Sequence, residues 1–147
     1  LSTLVYLIFV SESDHLNLKM YLQYSVLVAI MSDIGGLVFG KIFKGRKLTK
    51  ISPNKTISGS IGSLIFSILL IPFYHESLFN ENLQNIFVIT VVISVISQLG
   101  DLFISYIKRK AKVKNTSDIL PGHGGVLDRI DGIIFAIPFG VYLFSIF

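Results

Sequence analysis

Four stretches of this sequence, Met20 to Phe43, Ile57 to Tyr74, Ile86 to Ile107 and Ile130 to Phe147, are apolar and nearly free of charge. Each is long enough to cross a bilayer as a helix, which takes roughly 17 to 25 residues. Hydrocarbon offers no water to the backbone, so a spanning segment must satisfy its own hydrogen bonds as a helix or join a closed barrel. A barrel needs many short alternating segments, and none are seen. The expected fold class is therefore all-α, a polytopic transmembrane helical bundle, with residues 1–147 read as a single membrane domain. Composition agrees: 52% hydrophobic against 15% charged residues is too apolar for an ordinary soluble domain. With no cysteine, disulfides and thiolate metal sites are excluded. Leu1 to Val10 is apolar but too short to span, and reads as the tail of an earlier span, so the chain is expected to be the C-terminal part of a longer protein. No basic region precedes that run, which argues against a signal peptide.

The cations orient the spans. Of 13 Lys and Arg, six lie between Lys41 and Lys55 and six between Lys108 and Arg129. These loops follow the first and third spans, so both lie on one side, while Glu12, Asp14, Lys19, Glu76 and Glu81 lie on the other. By the positive-inside rule the basic loops face the cytoplasm, and the expected location is the bacterial inner membrane. For any single lysine, orientation alone is an adequate explanation. It does not account for the acids. Asp33 precedes Lys41 by eight residues and Asp101 precedes Lys108 by seven, which puts both at a matching depth of roughly 10 to 12 Å at 1.5 Å per residue. Asp131 enters the fourth span from the same side. Carboxylates in that layer cost several kcal/mol unless paired, protonated or metal-bound, and a shared cation is one economical solution.

Spacing supports a polar face on the third span: Ser94, Gln98, Asp101, Ser105 and Lys108 repeat at four and three residues and so share a stripe. On the first span Asp33, Gly36 and Gly40 do the same, and the glycine pair would admit a close helix. A hydrogen-bonded packing seam is the plain alternative for Ser94 and Gln98. The loops add anion chemistry. Thr56 or Ser58 can cap the second span, leaving free N–H groups beside Lys55 for a phosphate. Pro121-Gly-His-Gly-Gly125 is a turn whose N–H groups can form an anion nest, with His123 as hydrogen-bonding or acid/base group and Gly124 and Gly125 allowing close approach. Asp128 and Asp131, three apart at a helix start, present hard oxygens suited to Mg²⁺, and Arg129 between them can grip a phosphate. An internal Asp–Arg salt bridge is the alternative.

These residues resemble the signature of the phosphatidate cytidylyltransferase, or CDP-diacylglycerol synthase, family. Ser105, Lys108, Arg109, Lys114, Pro121, His123, Gly124, Gly125, Asp128, Arg129 and Asp131 match its pattern in order. The likeness continues through Gly100-Asp101-Leu102, Ser52-Pro53-Asn54-Lys55-Thr56 with Gly59, and Asp33 with Gly40. Two departures stand out: Asn115 replaces the usual acid after Lys114, and Ile57-Ser58 replaces an aromatic and acidic pair. The resemblance implies transfer of CMP from CTP to phosphatidic acid at the bilayer surface. It implies Mg²⁺ held by Asp101, Asp128, Asp131 and Asp33, with a monovalent cation beside it as a further expectation. Asp128, His123, Asp131 and Lys114 are the implied catalytic group. Lys55, Ser105, Lys108, Arg109, Gly124, Gly125 and Arg129 are implied to bind substrate. The expected partners are CTP, phosphatidic acid and the lipid bilayer, and a homodimer is compatible with all of this. Nucleic acid is not expected, since the cations follow the membrane boundary and few aromatics lie among them. Two alternatives remain open: a CTP-dependent polyprenol or phytol kinase, and an ion or proton transporter using Asp33 and Asp101.

Overall fold

Long apolar runs broken only by charged loops leave the chain little choice but helices. A computed structural model describes residues 12–49, 52, 55–74, 82–113 and 127–146, with side chains described from residue 18 and, in the last helix, from residue 131. The order is α1 (Glu12–Phe43), α2 (Ile57–Ile68), α3 (Ile71–Tyr74), α4 (Leu83–Lys110) and α5 (Leu127–Ile146), with no strand among the described residues. Leu18–Phe43, Ile57–Tyr74 and Leu83–Lys110 are long and apolar enough to cross a membrane; the described part of the last helix, Asp131–Ile146, is shorter. The chain is a membrane protein with polar groups inside and apolar ones outside. Leu37, Ile42 and Phe73 are 63%, 65% and 79% exposed, whereas Ser25, Ser32, Ser67, Ser94 and Ser97 are fully buried. Water would penalise that pattern, and hydrocarbon favours it.

Two boundaries differ from expectation. The second span is not one helix: Leu69 and Leu70 form a turn between α2 and α3. Pro72 has no N–H for the carbonyl of Ile68, and its ring would crowd that turn, so the regular ladder ends there. The third span runs one turn further than its apolar core, taking Lys108, Arg109 and Lys110 into the last turn of α4. Cations are favourable at that negative end of the helix dipole. α4 then closes in a Schellman arrangement, with Val113 N–H donating to Lys108 O and Lys112 N–H to Arg109 O, both at 3.0 Å. Lys112 sits at φ 57°, in the left-handed position where glycine is usual.

α1 packs most extensively on α2, α4 on α5, and α1 also meets α4 and α5. Glycines set the α1–α2 distance. A Cβ on Gly62 would strike Phe39 and come within 2.7 Å of the Gly35 carbonyl oxygen, and one on Gly59 would lie 2.9 Å from the Gly36 carbonyl oxygen. Between α1, α2 and α4 runs a seam of hydroxyls: Ser67 Oγ donates to Ser94 Oγ and Ser94 Oγ to Ser32 Oγ, each at 3.1 Å, while Ser63 Oγ donates to Ser32 O at 2.6 Å. Farther from the basic loops, Tyr24, Val28, Ile71, Ile86, Ile89, Ile93 and Phe144 form the apolar core, where Tyr24 Oη meets Thr90 Oγ1 at 2.5 Å.

Candidate functional site

The first basic loop is ordered by its own backbone. Lys47 and Thr56 form an antiparallel bridge, Leu48 N–H donates to Lys55 O at 2.8 Å and Ile57 N–H to Arg46 O at 3.0 Å. The resulting hairpin delivers Lys55 to the start of α2. Of the two expected caps, Thr56 serves: its Oγ1 accepts from Gly59 N–H at 3.1 Å. Ser58, one of the departures from the family pattern, instead accepts from Gly45 N–H at 3.3 Å and ties the loop down. The other, Ile57, is exposed.

Between this hairpin, α1, α4 and α5 lies a cavity of about 380 Å³, whose walls include Asp33, Lys55, Gln98, Asp101 and Asp131. Three acids from three helices and one lysine from a loop thus share one space. Lys55 Nζ forms an ion pair with Asp101 Oδ2, both side chains about a quarter exposed. Lys108 Nζ stands 3.7 Å from Asp131 Oδ2. Asp131 lies against Asp101, carboxyl to carboxyl, and its Oδ1 accepts from Gly132 N–H at 3.0 Å. Gly132 seats α5 closely on α4, where a Cβ would fall 2.6 Å from Ser97 Oγ and 3.2 Å from Ser97 O.

Asp33 on α1 and Asp101 on α4, expected at matching depth, both line this cavity. Asp33 interacts with Asp101 and Lys55 through space. Among the described residues no three acidic or histidine groups come together closely enough to hold a metal ion. The facing pair Asp101 and Asp131 is a partial set of hard oxygen donors, and two carboxylates in contact are stable only with a proton or cation to offset their repulsion. That chemistry fits Mg²⁺ at this pair. Asp128 precedes Asp131 by one turn of α5, but its side chain and that of Arg129 lie outside the described residues, as do Lys114, His123, Gly124 and Gly125 altogether. Ser105 is half-buried and Arg109 exposed, and neither is among the cavity walls.

Sequence reasoning missed Ser60 and Ser63, which also line the cavity, and the seam partners Ser32 and Ser67. A signal existed: Gly59, Ser63 and Ser67 recur every four residues on α2 and so form one small, polar stripe.

Known proteins resemble this chain in sequence. The model of the cytidylyltransferase family matches residues 1–147. A phosphatidate cytidylyltransferase of Rickettsia typhi is 40% identical over 148 residues, covering 94% of this chain and 64% of the relative. That of Staphylococcus haemolyticus is 42% identical, covering 88% of this chain and 50% of its own. That of Rickettsia prowazekii is 43% identical, covering 90% and 60%. The chain thus spans between half and two thirds of the length of these curated relatives.

Proposed function

The chain belongs to the cytidylyltransferase family, and from that premise we propose that it carries the site at which CMP passes from CTP to phosphatidic acid, giving CDP-diacylglycerol and pyrophosphate. The supporting observation is the single cavity that gathers Lys55, Asp101 and Asp131 at the basic-loop end of a membrane bundle. A phosphate oxygen of phosphatidic acid forms a bond to the α-phosphorus of CTP. The bond from that phosphorus to the bridging oxygen of the β-phosphate breaks, and pyrophosphate leaves with the electron pair. One substrate is anchored in the leaflet and the other is a soluble polyanion, so the two meet at the interface.

Both reacting groups are anions, and the protein's task is to neutralise and align them rather than to supply a nucleophile. Lys55, at the start of α2, receives the lipid phosphate. Lys108 and Arg109 at the end of α4, with Lys114 and Arg129, hold the outer phosphates of CTP; Ser105 assists from one turn below Lys108. His123, Gly124 and Gly125 donate hydrogen bonds to the nucleotide phosphates. Asp101 and Asp131, joined by Asp128, would hold Mg²⁺, which would supply positive charge to polarise the α-phosphate and offset charge on the leaving pyrophosphate. A monovalent cation is accommodated in the same acidic layer. Asp33, which lines the same cavity, would complete the acidic set around Mg²⁺. In this reading the basic loops face the cytoplasm of a bacterial inner membrane, and a homodimer is compatible with it.

Incorporation of label from CTP into lipid by the purified protein, with and without phosphatidic acid, tests the reaction. The expected products are a CMP-bearing lipid and one pyrophosphate per turnover. CDP with a newly phosphorylated lipid alcohol would mark a kinase instead, and ion flux without CTP turnover a transporter.

A further inference from the structure

The ammonium groups that neutralise the cavity's acids are the same ones that the phosphates require. Lys55 pairs with Asp101, and Lys108 approaches Asp131. A lysine engaged with a carboxylate cannot give its full charge to a phosphate, and a carboxylate so engaged competes poorly for a divalent cation. At Asp101 the two occupancies compete for one negative charge.

Lys55 and Asp101 also differ in which can move. Asp101 lies inside α4, nine residues before its end, and is held by the helix ladder. The backbone of Lys55 is fixed by Leu48 N–H to Lys55 O at 2.8 Å and Lys55 N–H to Ser52 O at 3.1 Å, but its side chain is long and a quarter exposed. Its ammonium can therefore leave Asp101 without disturbing the hairpin. Lys108 has a further interaction besides Asp131, so exchange is assigned to Lys55. A partly exposed ion pair is weakly held. A divalent cation brings twice the charge to the same carboxylate at similar distance, so its arrival can displace the ammonium.

From these contacts we infer that Lys55 is an exchangeable counter-ion: it occupies Asp101 until a divalent cation takes that carboxylate, and the released ammonium then turns to the lipid phosphate. Cation and lipid phosphate bind cooperatively as a result, each raising the affinity for the other by the same factor. The identity of both ligands rests on the proposed reaction. The exchange goes beyond it, because a lysine that served only the phosphate and did not engage Asp101 would leave the cation affinity of that carboxylate unchanged.

Mn²⁺ affinity of the purified protein in detergent, followed by the electron paramagnetic resonance signal of the free ion, tests the exchange. Wild type, Lys55→Met and Lys55→Arg are titrated with and without water-soluble short-chain phosphatidic acid, with protein-free blanks to subtract complexes of Mn²⁺ with lipid. Without lipid, Lys55→Met binds Mn²⁺ about 5-fold or more tightly than wild type, at the low end of usual coupling factors; Lys55→Arg, which keeps the cation, binds no tighter than wild type. Lipid tightens wild type by about the factor gained in Lys55→Met and leaves that variant within about 2-fold. Equal or weaker Mn²⁺ binding by Lys55→Met, or equal tightening of both by lipid, would overturn the inference. Absence of Mn²⁺ binding by a wild type that turns over CTP would overturn it too while sparing the reaction. Mn²⁺ behaviour as expected, without CTP incorporation, would instead remove the proposed reaction.

Discussion

In the hydroxyl seam Ser32, Ser63, Ser67 and Ser94 satisfy one another or a backbone carbonyl, all buried. Nearer the basic loops, Lys55 pairs with Asp101 and Lys108 approaches Asp131, and Lys55, Asp101 and Asp131 line a cavity of about 380 Å³. Both regions are polar interiors of an apolar bundle, yet their energetics differ. A hydroxyl pair costs little to bury once bonded, lets helices approach closely, and asks nothing of solvent. Charged groups carry a large desolvation cost even when paired, so their retention in a membrane protein points to a task beyond packing. The seam holds the helices in register; the charged layer uses that register.

Substitutions can separate the two. The largest effect is expected for Asp101→Asn, which keeps shape but removes the charge shared with Lys55 and Asp131: turnover should fall at least about 100-fold, the scale of losing a principal electrostatic group, with protein yield near normal. Turnover above a tenth of wild type would break the assignment of this layer to chemistry. Gly62→Val comes next, since a side chain there meets Phe39 and the Gly35 carbonyl; overpacking should cost about 1 to 3 kcal/mol. It should also reduce activity by displacing the start of α2 and with it Lys55. A variant that melts like wild type in detergent would show that the α1–α2 contact is looser than its geometry. Ser94→Ala should lower stability by only about 0.6 to 1.7 kcal/mol and leave the KM for CTP unchanged. If activity falls as far as in Asp101→Asn, the seam is part of the site and the contrast fails.

The smallest effects belong outside both regions. Lys110→Ala, at the exposed end of α4, should change stability by less than about 0.5 kcal/mol and activity little; a large loss of CTP incorporation would extend the charged layer beyond the cavity. Lys112→Gly should stabilise by about 1 kcal/mol, because lysine occupies a left-handed position at φ 57°. A lowered melting temperature would mean that the Lys112 side chain makes a contact worth more than the backbone strain.

Much of this was legible in the chain itself. Apolar length and loop charge predict helices joined by basic loops, because hydrocarbon leaves the backbone few options and each term is local. The stripe Ser94, Gln98 and Asp101 is legible too, since helical period alone puts those residues on one face. Hydropathy alone makes the second span continuous, whereas Pro72 divides it into two helices. The resemblance through Ser105 to Asp131 pointed to a chemistry before any contact was known.

What the sequence could not decide is how far each helix slides past its neighbour. How closely α1 and α2 approach is set by the seats of Gly35, Gly36, Gly59 and Gly62, and those contacts join separate segments. Pairing was equally hidden: that Lys55 finds Asp101, 46 residues away, depends on a hairpin and two helices docking together. Local terms such as hydropathy and helical period act within a span, so the chain by itself determined its helices and their polar faces. Ion pairs and a shared cavity are sums over distant segments, and only the packed bundle determined those.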